Sequence, residues 1–159
     1  MGAINNAFNQ AAGAVAGAAL AIEHAQDSDF SKMNSADNSA LIARNQSRAA
    51  TAEANEAVNE AKKDGGLISQ LSEAEVTEGE AKKAFEKAYN RKNGSPVTIL
   101  NKMTELKAAK KAADELRDKY KAVEDLKARA TEQRMHAAKA TKIALDEKEK
   151  YEKRWGGIK

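Results

Sequence analysis

Histidine and carboxylate side chains are the residues of this sequence that could bind a metal ion or transfer protons. The two histidines, His24 and His136, lie far apart in the chain, and neither belongs to an HExxH or similar ligand spacing. The chain has no cysteine, so it offers no thiolate metal site and no disulfide framework. We therefore predict no metal site and no cofactor.

Acidic residues also occur as close pairs, the arrangement that general acid/base catalysis uses when a pocket desolvates it. Lysines at helical spacing accompany these carboxylates, as in Glu78–Lys82, which favours solvated helix surface over an active site. The sequence has no phosphate-binding GxxxxGK[ST] loop and no GxSxG nucleophile motif. We predict that the chain is not an enzyme. The pairs are Glu73/Glu75, Glu78/Glu80 and Asp114/Glu115.

Basic residues are in excess towards the end of the chain, where residues 95–159 carry seventeen basic and eleven acidic side chains. They could contact nucleic acid or an anionic membrane. The net charge of only +3 and the interleaved acids favour an ordinary solubilising face instead. The candidate anion contacts are Arg117, Lys121, Lys127, Arg129, Arg134, Lys139 and Lys142.

The elements that position these side chains are helices. Aromatic residues make up 4% of the chain and charged residues 32%, and the Ala/Glu/Lys/Leu/Arg bias is typical of long helices. We predict an all-α fold: an elongated antiparallel helical hairpin or coiled coil, with a three-helix bundle as the alternative. Gly65-Gly66 predicts a kink or short break, and the turn at 93–96 separates the two arms of the hairpin within residues 40–155.

The second arm contains no glycine or proline between Pro96 and Gly156, so it could be one helix on the order of 90 Å long. Apolar residues recur in it at every seventh position, which predicts a seam facing another helix or another copy of the chain. Four of the seven are alanines that bury little area, so oligomerisation would add stability. The seam residues are Ala109, Leu116, Val123, Ala130, Ala137, Ala144 and Tyr151.

The beginning of the chain has a different character. Residues 1–24 are predicted to form a separate small-residue helix, uncharged as far as Ile22, with a close-packing or membrane face at Gly13, Gly17, Ala14 and Ala18. Its apolar run of twelve residues is shorter than the roughly twenty that span a bilayer. Burial against other subunits and conditional membrane insertion both remain open.

A polar segment at residues 25–39 follows. It is rich in Ser, Asp and Asn, and is predicted to be a linker or broken helix in which Phe30 and Met33 are docking points. Residues 156–159 are predicted to be a short tail.

The order of these segments resembles that of minor virion proteins of bacteriophages, which include DNA-pilot proteins and internal ejection proteins. The resemblance lies in MGAINNAFNQAAGAVAGAALAI, then HAQDSDFSKMNSADNSA, then helices rich in Ala, Lys and Glu from Ala40 onward. It implies a virion protein that takes part in DNA ejection and interacts with membranes, and it transfers no individual functional residue.

Together these features predict a non-enzymatic structural or delivery component of a virion or similar assembly. Its partners would be further copies of the chain or other virion proteins, with membrane contact through residues 1–22 and with weaker support for nucleic acid. Two alternatives remain: a secreted or bacteriocin-like hairpin that binds a receptor through its turn, and a scaffold or spacer in the cell envelope.

Overall fold

The structure, a computed structural model, describes residues 2–92 and 94–156. This part of the chain forms three α-helices and no β-strand: α1 (Gly2–Lys62), α2 (Leu67–Tyr89) and α3 (Pro96–Trp155). The prediction of an all-α fold is confirmed. Its physical basis is the abundance of alanine, lysine and glutamate, which have high intrinsic helix propensity.

The break between α1 and α2 falls at the predicted glycine pair. Gly65 has a φ of 70°, in the left-handed region that other residues adopt only with strain. Gly66 is crowded by backbone instead, because a Cβ built there would lie 2.6 Å from the carbonyl oxygen of Glu60. The two glycines are therefore needed for different reasons, one for its conformation and the other for its missing side chain.

The turn between α2 and α3 also follows the sequence signals. α2 ends at Tyr89, and α3 begins at Pro96, whose fixed φ suits the first position of a helix. The carbonyl group of Ser95 accepts the first helical hydrogen bond of α3, from the Ile99 N–H at 3.1 Å. Asn93, part of the predicted turn, and residues 157–159 of the predicted tail lie outside the described residues.

The predictions of a polar linker at 25–39 and of a separate N-terminal helix were wrong, because α1 runs unbroken from Gly2 to Lys62. Serine, asparagine and aspartate each cost at most about 0.7 kcal/mol relative to alanine in a helix, and no glycine or proline interrupts this stretch. Contacts with α3 offset that cost. Phe30, predicted as a docking point, meets the ring of Tyr151, and Met33 is half-buried.

The chain divides into two compact units, the first formed by residues 1–47 and 133–159. Only α1 and α3 contribute to it, and Gln26 donates a hydrogen bond to the Tyr151 hydroxyl at 3.4 Å. The buried positions of α1 in this unit, such as Ala40 at 1% exposure, all come after Gln26 in the chain, so α3 must also cover the turns of α1 that follow Gln26. Since α3 reaches Tyr151 near its end, its earlier turns must cover the later turns of α1, so the two helices are antiparallel.

The second unit, residues 48–132, contains the end of α1, all of α2 and the first part of α3. The last turn of α1 lies beside Tyr120 and Val123, the middle of α2 contacts Arg117, and the end of α2 lies beside Thr98. As the chain runs from the end of α1 through α2, its contacts on α3 therefore shift steadily towards the N-terminus of α3. Within this unit α1 and α2 both run antiparallel to α3, as in a hairpin, and the chain does not fold back at the glycine pair.

Alanine dominates the buried positions in both units. Among the described residues, no large side chain is completely buried, and Trp155 and Ser47 are the only buried residues that are not alanine. Small side chains let helices approach closely but remove little apolar area from water. The buried alanines are Ala40, Ala54, Ala61, Ala113, Ala130, Ala137 and Ala144.

Candidate assembly surfaces

The first surface of interest is the exposed beginning of α1, residues 3–24, which we call the N-terminal segment. Every residue in it is exposed, including large apolar side chains whose exposed fractions range from 55% to 76%. In no described helix do length and apolar character together suffice for a membrane span. The large apolar residues are Ile4, Phe8, Val15, Leu20 and Ile22.

The predicted close-packing face lies within this segment and is exposed at all four of its positions. Gly13 and Gly17 are helical and exposed, and a Cβ added at either would meet no atom within 4 Å. Ala14 and Ala18 are exposed as well. These four residues are thus accessible to a partner, and no close approach among the described residues requires the two glycines.

The N-terminal segment ends where α3 docks on α1. There the Trp155 indole N–H and the Arg154 guanidinium both donate to Oδ2 of Asp29, at 2.9 and 2.8 Å. The Phe30 and Tyr151 rings meet edge to face, with centroids 5.8 Å apart. The hydrogen bond from Trp155, assisted by the charge of Arg154, lowers the pKa of Asp29 below its ordinary value. Trp155 therefore lies beside the first turn of α1, counted from its N-terminus, that α3 covers.

All seven residues predicted as the α3 seam are at least half-buried. Ala130, Ala137 and Ala144 are buried, at 3–7% exposure, and the other four are intermediate. The helices that cover them belong to the same chain, so these positions already have partners before any second copy is added. A role for them in oligomer contacts stays a prediction.

A second seven-residue repeat, which was not predicted from the sequence, lines α1. It is half-buried at Gln26 and Met33 and buried at the four later positions. The signal was present in the spacing of small residues, but the polar stretch at 25–39 concealed its start. The repeat consists of Gln26, Met33, Ala40, Ser47, Ala54 and Ala61.

Arg117, predicted as a candidate anion contact, binds carboxylates of its own chain. Its guanidinium group donates to Glu78 and Asp114 at 2.8 Å each, and lies 3.6 Å from Glu75. Hydrogen bonds to Glu78 and then Asp114 raise the pKa of Arg117. The expectation that Glu78 pairs with Lys82 on a solvated face was wrong. Glu78 lies seven residues from both Leu71 and Phe85, so these three half-buried side chains share one side of α2, where Arg117 of α3 reaches Glu78.

The other candidate anion contacts are not gathered into one patch. Lys127 pairs with Glu124 at 3.4 Å, and Arg134 is exposed. Four more exposed cations are spread over more than twenty residues of α3. They are Lys121, Arg129, Lys139 and Lys142.

The described residues contain no group of three or more His, Cys, Asp or Glu side chains that could hold a metal ion. His24 and His136 are exposed, and so are both members of the Glu73/Glu75 pair. The hollow beside Asp29 is open to solvent and is lined mainly by charged side chains.

No protein family, curated protein or solved structure matches this chain. The surfaces described above are therefore the basis for inferring what the protein does.

Proposed function

We propose that this chain is a non-enzymatic helical component of a larger assembly, a virion or similar particle. In this proposal it serves a structural or delivery role, and the N-terminal segment is the part that meets a neighbour or a membrane. The observation that carries the proposal is the exposure of the N-terminal segment, a regular helix with five large apolar side chains in water.

Exposed apolar residues scattered singly are ordinary, but here they follow one another along twenty-two residues without a charged side chain before Glu23. A helix that packs against no other part of its chain is also only marginally stable, because most helical stability in proteins comes from the packing of an apolar face. A partner that covers the N-terminal segment would supply that packing.

The alanine seams support assembly on separate grounds. Each buried alanine removes little apolar surface from water, so antiparallel pairs of helices held by alanine are stabilised weakly per turn. Association with a neighbour that binds only the folded chain adds stability by mass action. A component that functions inside an assembly therefore does not need a large core of its own.

The resemblance to bacteriophage pilot and ejection proteins supports the choice of a virion over other assemblies. Those proteins share the order of a small-residue beginning, a polar segment and long alanine-rich helices. The course of α1 through residues 25–39 is compatible with this order, since the polar segment can be helical. Delivery of DNA and contact with a membrane are parts of the proposal that rest on this resemblance.

The proposal is tested by measuring the mass of the full chain by light scattering and sedimentation across about two decades of protein concentration. Flotation with vesicles of phosphatidylcholine and phosphatidylglycerol is measured in parallel. We expect a concentration-dependent oligomer, vesicle binding, or both. A chain that stays monomeric at every concentration and does not float with vesicles would overturn the proposal.

A second candidate function is receptor binding through the turn between α2 and α3, in a secreted hairpin. A surface hollow at this turn favours it, lined by Arg91, Gly94, Ser95 and Thr98 together with Ala88. In that case Arg91→Glu would abolish receptor binding while the circular dichroism of the helices stays unchanged. A cell-envelope scaffold would instead form a defined oligomer, with no effect of this substitution.

A further inference from the structure

Beside the buried repeat that starts at Gln26, a second row of positions on the same side of α1 is half-buried against α3 and continues into the N-terminal segment without a change of phase. Asp29, Ala36 and Ala43 lie seven residues apart and are half-buried. The same spacing extended backwards reaches Ile22, Val15 and Phe8, which are all exposed. Residues seven apart lie on nearly the same side of a helix.

The seam is therefore uncovered in this segment because α3 has ended, and not because α1 has turned its apolar side away. Trp155, the last residue of α3, contacts Asp29, and the uncovered positions begin one repeat earlier, at Ile22. They are also larger than the covered ones, since phenylalanine, valine and isoleucine stand where the covered seam has aspartate and alanine. A further helix laid along α1 would continue the existing interface.

The sequence at the centre of the N-terminal segment is symmetric. Residues 11–19 read AAGAVAGAA, the same in both directions, with Val15 at the centre. When two such helices run antiparallel and cross at Val15, Phe8 of one lies opposite Ile22 of the other. Within the palindrome, Ala11 lies opposite Ala19 and Ala12 opposite Ala18, so small residues separate the bulky contacts at Phe8, Val15 and Ile22.

Electrostatics allow the same arrangement. The segment has no charged side chain before Glu23, so pairing with its own copy creates no like-charge contact along the shared length. In the register centred on Val15, Glu23 lies opposite Ala7. The register also places Ile4 of the second copy opposite Gln26, the position where contact with α3 begins.

We propose that the N-terminal segment pairs antiparallel with the N-terminal segment of a second copy of the chain, with Val15 on the two-fold axis. Phe8, Val15 and Ile22 form the contact. Such a pair is isologous and closed, because one surface covers itself in both copies. The inference deepens the proposed function and rests on it, since it names the partner that covers the exposed segment.

Cysteine cross-linking tests the face and the direction of the pair, since the chain has no cysteine of its own. Val15→Cys in the full chain should form a disulfide-linked dimer under mild oxidation. Gly17→Cys is the matched control, because it lies about 160° around the helix and has open space about it. We expect little linkage there.

The relative direction of the two paired helices is determined with two more variants, which carry tags of different mass. Phe8→Cys mixed with Ile22→Cys should give a linked heterodimer, whereas Phe8→Cys alone should not link to itself. Self-linkage of Phe8→Cys would mean a parallel pair and would overturn the proposal. Equal linkage of Val15→Cys and Gly17→Cys would overturn it as well.

The equilibrium test uses Val15→Asp and the control Asn6→Asp, an almost isosteric change about 180° away on the same helix. Sedimentation equilibrium should show the dimer dissociation constant raised at least about tenfold by Val15→Asp and unchanged by Asn6→Asp. An oligomer that neither substitution weakens would overturn the pairing but leave the proposed assembly function intact. A monomeric wild type that floats with phospholipid vesicles would also overturn the pairing. A wild type that does neither would overturn both proposals.

Discussion

Replacing Trp155 with alanine removes the one large side chain among the buried residues of the described chain, where α3 docks on α1. An aromatic side chain buries about 150–250 Å². At about 25 cal/mol per Å², that area corresponds to about 4–6 kcal/mol, an upper bound because the unfolded chain already hides part of it. Since Trp155 is 7% exposed and lies at a helix end where neighbours can relax, we expect a loss of about 3 kcal/mol.

The loss is measured by urea unfolding followed by far-ultraviolet circular dichroism, because the variant lacks the single tryptophan of the chain. Trp155→Phe is the control, since it keeps most of the apolar area and removes only the indole N–H donated to Asp29. It should cost less than Trp155→Ala. Hydrogen exchange should show faster opening of residues 26–47, the part of α1 in the same unit.

A change within about 0.5 kcal/mol for Trp155→Ala, the size of ordinary surface substitutions, would refute the reasoning. It would mean that the end of α3 is not held against α1, and that the boundary of the N-terminal segment at Asp29 is misplaced. An equal loss for Trp155→Phe would assign the stabilisation to the hydrogen bond rather than to the buried ring.

Three further predictions concern the seam, the glycines and pH. Ala113→Leu, at a position 0% exposed, should lower the free energy of unfolding by about 1–3 kcal/mol in urea, whereas Ala112→Leu, at an exposed position, should change it little. Equal effects of the two substitutions would contradict close packing at Ala113. In thermal unfolding, Gly79→Ala should stabilise by about 0.5–1 kcal/mol, because Gly79 is mid-helix with open space, whereas Gly66→Ala should destabilise, because its Cβ would strike backbone carbonyls. The hydrogen bond from Trp155 lowers the pKa of Asp29, so its ionised carboxylate adds stability above the ordinary aspartate pKa and loses that contribution as pH falls through the lowered pKa of the folded state. Asp29→Asn should therefore flatten the acid side of a stability–pH profile, and an unchanged profile would contradict this.

The local signals that predicted the helix boundaries worked because they are properties of single residues. Pro96 lacks an N–H and has a fixed φ, so it begins α3, and the glycine pair ends α1. The α3 repeat could be read because leucine, valine and alanine mark it in a long stretch without glycine or proline. The residues of α1 and α2 that pack against this repeat could not be predicted, since periodicity shows which side of a helix is buried but not which helix covers it.

The errors came from residues whose local preference is weak compared with a tertiary contact. Asp29 favours caps and turns in isolation, yet it lies inside α1 and accepts hydrogen bonds from Trp155 and Arg154. Glu78 reads as a surface acid until Arg117 from α3 is placed beside it. Both pairs join residues far apart in the chain, so no window of sequence contains the two partners.

What this sequence determined alone is its helical character, the places where helices stop, and the repeat along α3, because propensity, proline and glycine act within a few residues. Only the tertiary structure decided that α1 is continuous, that the helices within each unit run antiparallel, and that α3 ends one repeat short of Ile22. Those features depend on which faces cover each other, and that is decided by the packing of side chains distant in sequence. The exposed N-terminal segment is the result, an apolar face that α3, which ends at Trp155, does not cover.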